Sequence, residues 1–314
     1  MSDLVKLDEP LPGRGFRVGI DLGGTKIAGI LLDADGETRA EKRIPAPRGD
    51  YEHTVRALRD LAADLAGSAT SRPSIGIGMP GSVSPKTGLV QNANSVWLNG
   101  RRFARDLEDA LGVPVRLAND ANCFALSEAV DGAGDGARSV FGVILGTGCG
   151  GGLVFDGTII DGPRGIGGEW GHNPLPWAEA DEHPGPACWC GRRGCMETWV
   201  SGTGLEADHA RTTGETLSAA DIASQAHAGD AAAAATLDRH ARRLARGLAH
   251  VVNMFDPEVI VLGGGLSNLP HLYGVLPDLM LPHIFSDAPG ITIRPPRWGD
   301  ASGVRGAAWL WDRA

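Results

Sequence analysis

No uninterrupted apolar run in this 314-residue chain approaches the roughly 20 residues a membrane-spanning helix needs. The N-terminus also lacks a basic segment leading into an apolar stretch, the mark of a secretory leader. A cytoplasmic protein without membrane attachment is therefore expected. Basic charge is short as well: 29 Lys and Arg stand against 38 Asp and Glu, a formal charge of −9. Such a surface repels nucleic-acid phosphates and anionic lipid, so no nucleic-acid partner is expected. The sequence has no low-complexity tract and no short-period repeat. Cysteine is scarce and odd in number, five in all. In a reducing compartment these would remain thiols or act as ligands.

Length and composition suit a globular protein of one large or two medium domains. After a polar lead-in over residues 1–15, FRVGIDLGGTKIAGILLDADGETRAEKRIPA reads as strand, glycine turn, strand, DADG turn and strand. A helix is predicted over 50–67, with Val55, Leu58, Leu61, Ala62 and Leu65 on one face. The strand SIGIGMPG, a helix over 103–111, the strand VPVRLAND and the helix ANCFALSEAVDGAG follow. The meander then restarts at SVFGVILGTGCGGGLVFDGTII, which implies a duplicated architecture with a nucleotide cleft between the halves. Residues 161–204 read as irregular, a length that signals function or a hold other than a core. Helices are expected over 218–228, 230–254, 270–283 and 303–311, with the strand PEVIVLGGG before the third of these.

Three glycine turns invite anions. In DLGGTK, Gly23 and Gly24 let backbone approach a phosphate, Thr25 and Lys26 can donate to it, and Asp21 can hold Mg²⁺. LGTGCGGG fits G-x-G-x-x-G at Gly146, Gly148 and Gly151, but a strand follows where a dinucleotide site needs a helix. It reads better as a second phosphate hairpin. LGGG, with Gly263 and Gly264, ends a buried strand. Each of these also fits a plain turn. In RLANDANC, Asn119 and Asp120 fall at a strand's end, where a carboxylate can accept a hydroxyl's proton and an amide can orient substrate hydroxyls. A helix N-cap is the competing reading for Asp120.

CWCGRRGC concentrates Cys188, Cys190 and Cys195 in eight positions. Structural zinc wants four N or S ligands, of which this loop supplies three thiolates, although C-x-C-x4-C is not the usual zinc spacing. A surface loop with idle thiols competes with that reading. Cys123 and Cys149 read as packing or backbone-fitting residues.

Taken in order, DLGGTK, LANDANC, LGTGCGGG, GEWGHNPLP, CWCGRRGCMETW and IVLGGG resemble the ROK family (repressors, open reading frames and sugar kinases) from about residue 16 to the C-terminus. GSVSPKTGLVQNANSVWLNG, EWGHNPLPW and GVRGAAWLW resemble its fructokinase branch most. The resemblance implies an α/β, actin/hexokinase-like (ribonuclease H-like) fold of two duplicated domains. These are 16–122, joined by the C-terminal helix 303–314, and 123–302, which carries the zinc-binding loop 161–204.

It further implies an ATP-dependent hexose kinase acting on the 6-hydroxyl of fructose, with mannose or glucose secondary. N-acetylglucosamine kinase or glucokinase is the alternative within the family. By the same resemblance Asp120 is the catalytic base, and Asn94, Asn119, Glu169, His172 and Glu197 meet the sugar. Asp21, Gly23, Gly24, Thr25, Lys26, Gly146, Thr147 and Gly148 surround the phosphates and Mg²⁺, and Gly263 and Gly264 lie near the adenosine. His172 joins Cys188, Cys190 and Cys195 on structural zinc. A homodimer is expected. A sugar-sensing repressor is disfavoured, because only 20 residues precede Asp21, too few for a helix-turn-helix module.

Overall fold

The computed structural model describes residues 15–311, in two compact units. Unit 1 runs to Cys123 and resumes at Gly303, while unit 2 comprises Phe124–Ser302.

In unit 1 the strands are β1 Arg17–Leu22, β2 Lys26–Leu32, β3 Thr38–Pro45, β4 Ser74–Met79 and β7 Arg116–Asn119, with a small side pair β5 Ser82–Val83 and β6 Val90–Gln91. The main sheet has the order β3-β2-β1-β4-β7. Its first three strands form an antiparallel meander, whereas β1, β4 and β7 run parallel. Side chains alternate across a strand. On β1, Val18, Ile20 and Leu22 enter a core with α1 (Tyr51–Ala66) and α2 (Phe103–Leu111). Gly19 takes the opposite face, where a Cβ would come within 2.7 Å of the Ala308 backbone nitrogen in α9 (Ser302–Trp309). Helix α1 starts where Asp50 accepts from the His53 N–H at 2.9 Å.

Unit 2 repeats the plan. Strands β8 (Ser139–Leu145), β9 (Cys149–Phe155), β10 (Thr158–Ile159), β11 (Val259–Gly263) and β12 (Ile293–Arg294) order as β10-β9-β8-β11-β12, again with three antiparallel and then parallel neighbours. Phe141, Val143 and Leu145 face a core built with α4 (Glu197–Val200), α5 (Gly202–Thr213), α6 (Ala219–His227), α7 (Ala231–Phe255) and α8 (Pro270–Met280). On the other face Gly142 receives Ala125 of α3 (Asp120–Val130). The mixed α/β fold in two units and its internal duplication agree with the reading of the sequence. No helix among the described residues is long and apolar enough to cross a membrane.

Two differences stand out. Helices α4 and α5 occupy residues read as irregular or left unassigned. Helix α5 begins GTG and buries Asp208 and His209, so it shows little apolar periodicity. The segment from 161 to 196 is otherwise irregular, but it is held by more than its cysteines. Buried Trp170 donates to the Gly150 carbonyl at 3.0 Å and meets Phe141 edge-on. Glu182 ties the segment to α7 by ion pairs with Arg243 at 2.8 Å and Arg246 at 2.6 Å, all three side chains being no more than 6% exposed.

Candidate functional site

In unit 1 the parallel strands β1, β4 and β7 deliver Asp21 and Asp120 to the same end of the sheet. Asp21 is the next-to-last residue of β1, paired with Gly78 of β4, and Asn119 closes β7 opposite Met79. Asp120 follows as the first residue of α3 and is exposed. The Ala121 N–H is shared between Asn119 Oδ1 at 2.9 Å and Asp120 Oδ1 at 2.8 Å, so capping is divided between the two side chains. Asn119 Nδ2 donates to the Gly81 carbonyl at 3.1 Å, which fixes the amide. Burial raises the Asp21 carboxyl to about 6, the charge of Asp120 adds to this, and Lys26 opposes it. A carboxyl whose proton affinity is raised by burial and by a second carboxylate suits either a proton or a cation held at that position.

The β1–β2 turn closes with the Gly23 N–H donating to the Lys26 carbonyl at 3.1 Å. Gly24, Thr25 and Lys26 are exposed, and nothing lies within 4 Å of where a Gly24 Cβ would sit. Asn94 is exposed in the loop after β6. Its neighbour Asn99 holds that loop by accepting from the Ala93 N–H and donating to the Ala93 carbonyl, each at 2.9 Å.

In unit 2 the β8–β9 turn carries Gly146, Thr147 and Gly148. The Gly202 N–H, at the start of α5, donates to the Gly146 carbonyl at 2.7 Å, and the Thr203 hydroxyl donates to the Thr147 carbonyl at 2.8 Å. A Cβ on Gly148 would lie 2.7 Å from Glu197 Oε2, the same oxygen that accepts the Cys149 N–H at 3.0 Å. Gly148 is therefore bare because the Glu197 carboxylate occupies its side-chain space. Gly263 is buried against Phe124 at the end of β11, while Gly264 turns at φ +78° with its backbone exposed.

Glu169 directly precedes a 3-10 turn over Trp170–His172. Burial raises its carboxyl above the ordinary range, with His172 opposing and Glu197 adding. The charges of His172 and Glu197 thus both reach Glu169, the latter from 28 residues further along the sequence. A bridge pairing Pro174 with Cys195 brings His172 to the cysteine loop.

There the ligand atoms of His172, Cys188, Cys190 and Cys195 all lie within 4.8 Å of one another. Cys188 Sγ is 3.6 Å from His172 Nδ1, and Cys190 Sγ is 3.7 Å from Cys195 Sγ. A zinc–thiolate tetrahedron with bonds of about 2.3 Å has S···S edges of about 3.8 Å, so the spacing fits this ion. A disulfide needs sulfurs about 2.05 Å apart, and all five cysteines are free thiols. The backbone around Arg192 pulls the Cys190 thiol down, whereas burial lifts Cys188 and pushes Cys195 up to about 12. Cys123 and Cys149, outside the cluster, are buried.

One neighbour escaped the sequence reading. Trp189, between two of the cysteines, donates its indole N–H to Glu197 Oε1 at 2.7 Å and meets the His172 ring edge-on, centroids 4.9 Å apart. A tryptophan inside a Cys-x-Cys turn was the available signal, but its direction is set only by the folded loop.

A family model described as ROK family matches residues 17–314. The chain is 40% identical over 296 residues to the N-acetyl-D-glucosamine kinase of Yersinia enterocolitica, covering 93% of this chain and 98% of that protein. Among solved structures, the ROK hexokinase from Thermus thermophilus superposes with a TM-score of 0.83 at 35% identity, covering 93% of this chain and 96% of that one. A ROK family glucokinase from Streptomyces griseus, solved with glucose and AMPPNP, gives 0.74 at 27% identity, covering 94% and 99%.

Proposed function

This chain belongs to the ROK family, and on that premise we propose that it is an ATP-dependent hexose kinase with N-acetyl-D-glucosamine as its acceptor. The observation that carries the reading is Asp120, an exposed carboxylate at the end of a parallel strand, electrostatically coupled to Asp21 beside an open glycine turn. In this reading Asp120 accepts the proton of the sugar's 6-hydroxyl as that oxygen attacks the γ-phosphorus. Asn119, with its amide already fixed, orients sugar hydroxyls, together with Asn94, Glu169, His172 and Glu197.

The backbone N–H groups of Gly24 and Thr25, with Lys26, receive phosphate oxygens, as do those of Thr147 and Gly148, while Gly23 and Gly146 close their turns with their own N–H groups and let the backbone approach the phosphates. Gly263 and Gly264 lie by the adenosine. Asp21 would hold Mg²⁺, which would neutralise charge on the phosphates. Zinc on His172, Cys188, Cys190 and Cys195 would be structural, since four protein ligands close its coordination. It would fix the ring of His172. The reading includes a homodimer in the cytoplasm.

The acceptor departs from the fructose expected from residues 81–100. The relatives' names favour N-acetyl-D-glucosamine, and selectivity among hexoses rests on a few hydroxyl contacts that the motifs alone do not resolve. The test of the reading is ADP release with and without sugar, in the unaltered chain and in Asp120→Asn. Sugar-dependent release, cut by about 10²–10⁴-fold in the variant with sugar affinity little changed, is the expected result. Release that ignores sugar, or a variant within tenfold of the parent, contradicts it.

A further inference from the structure

Trp189 is 66% exposed, yet it is pinned twice, by the 2.7 Å bond from its N–H to Glu197 Oε1 and by its ring against His172. Its loop is rigidly turned: Cys188 N–H donates to the Arg192 carbonyl at 2.8 Å, and Gly191 N–H to the Cys188 carbonyl at 3.0 Å. A large apolar ring held fast with a bare surface is a platform awaiting a ligand rather than a core residue. The two groups that pin it are the ones to which the kinase reading gives sugar hydroxyls.

Glu197 still has room for them. A carboxylate offers about four acceptor sites. Protein takes one on each oxygen, Cys149 N–H on Oε2 and the indole on Oε1. A hexose is amphipathic, with hydroxyls around its edge and C–H groups on its faces. The free acceptor sites of Glu197 suit the edge, and the uncovered indole suits a C–H face.

We propose that Trp189 is a sugar-binding residue: its N–H sets the direction of the Glu197 carboxylate and its bare ring forms the apolar wall against which the hexose lies. The proposal rests on the kinase reading of the same site and adds a residue and a role to it.

Two variants separate the functions of the side chain. Trp189→Phe keeps a ring and loses the N–H, while Trp189→Gly loses both. Sugar and ATP kinetics would be measured beside calorimetric titration of sugar without ATP, with zinc content and thermal midpoint as controls. Losing the bond to a charged acceptor should raise sugar KM and Kd about tenfold in Trp189→Phe. Trp189→Gly should weaken sugar further, and ATP KM should stay within twofold in both. Should the glycine variant lose zinc or fold, Trp189→Phe alone decides. Sugar KM and Kd within twofold of the parent in Trp189→Phe overturn the proposal while leaving the kinase intact. A parent without sugar-dependent ADP release overturns the kinase reading instead, and absence of sugar binding in the titration then removes this proposal with it.

Discussion

Replacing Glu182 by Gln should destabilise unit 2 more than a single surface change could. The carboxylate accepts from Arg243 Nε at 2.8 Å, from Arg246 Nη2 at 2.6 and 2.8 Å, and from the Glu179 N–H at 2.8 Å. Burial alone would raise its pKa, but the hydrogen bonds from Arg246 and Arg243 outweigh that and hold it below the usual range. Without the charge, Arg243 keeps Asp208 at 2.8 Å, itself shared with Arg239 and Arg211. Arg246 keeps the Trp177 carbonyl at 2.9 Å and the exposed Glu179 at 3.6 Å.

A buried guanidinium robbed of its partner costs about 3–5 kcal/mol. The lower end applies, because Gln preserves shape and one acceptor oxygen. For a unit of the size of residues 124–302, about 3 kcal/mol lowers the midpoint by roughly 6–12 °C. Thermal unfolding by circular dichroism measures it, with zinc content checked in parallel. A drop below about 1 °C would refute the reasoning, since it would mean that desolvation cancels the attraction in this network.

Two further perturbations follow from the same geometry. His240 is buried in α7 with its Nε2 on the Val200 carbonyl at 2.9 Å, and burial lowers its pKa from 6.5 to about 4. The folded state therefore keeps it neutral while the unfolded chain protonates. Stability present above pH 6.5 should fall as pH drops towards 4, by about 3 kcal/mol from this residue. Denaturant titrations at pH 7 and pH 4.5 should differ less in His240→Gln than in the parent, and equal pH dependence in the two would count against the assignment. Cys190→Ser should purify with less zinc, a lower thermal midpoint and a higher sugar KM. Full metal content with unchanged midpoint and KM would sink the structural-zinc reading.

The features that the sequence displayed were those written in local pattern. The two meanders were legible because alternation and glycine turns mark strands wherever they fall, and the two sheets share one strand order. Three cysteines in eight positions announced a cluster. The spacing of Cys188, Cys190 and Cys195 says nothing of His172, which family resemblance alone supplied and which a bridge at Pro174 brings into place. Helix α5 went unread because its buried face carries Asp208 and His209 for the arginines and Thr236 of α7. Glu182 lies 61 and 64 residues from its partners Arg243 and Arg246, a pairing that no window on the sequence can register. The contact of Trp189 with Glu197 depends on how one short loop turns, so a residue inside the most conspicuous motif kept its role hidden.

The central claim is phosphoryl transfer to a hexose, and one kinetic panel addresses it most directly: N-acetylglucosamine, fructose, mannose and glucose, each with Mg-ATP, followed by ADP release. The account predicts sugar-dependent turnover with the highest kcat/KM for N-acetylglucosamine. Turnover led by fructose would contradict the proposed acceptor and restore the motif-based preference, and no sugar-dependent ADP release with any of the four would contradict the kinase itself.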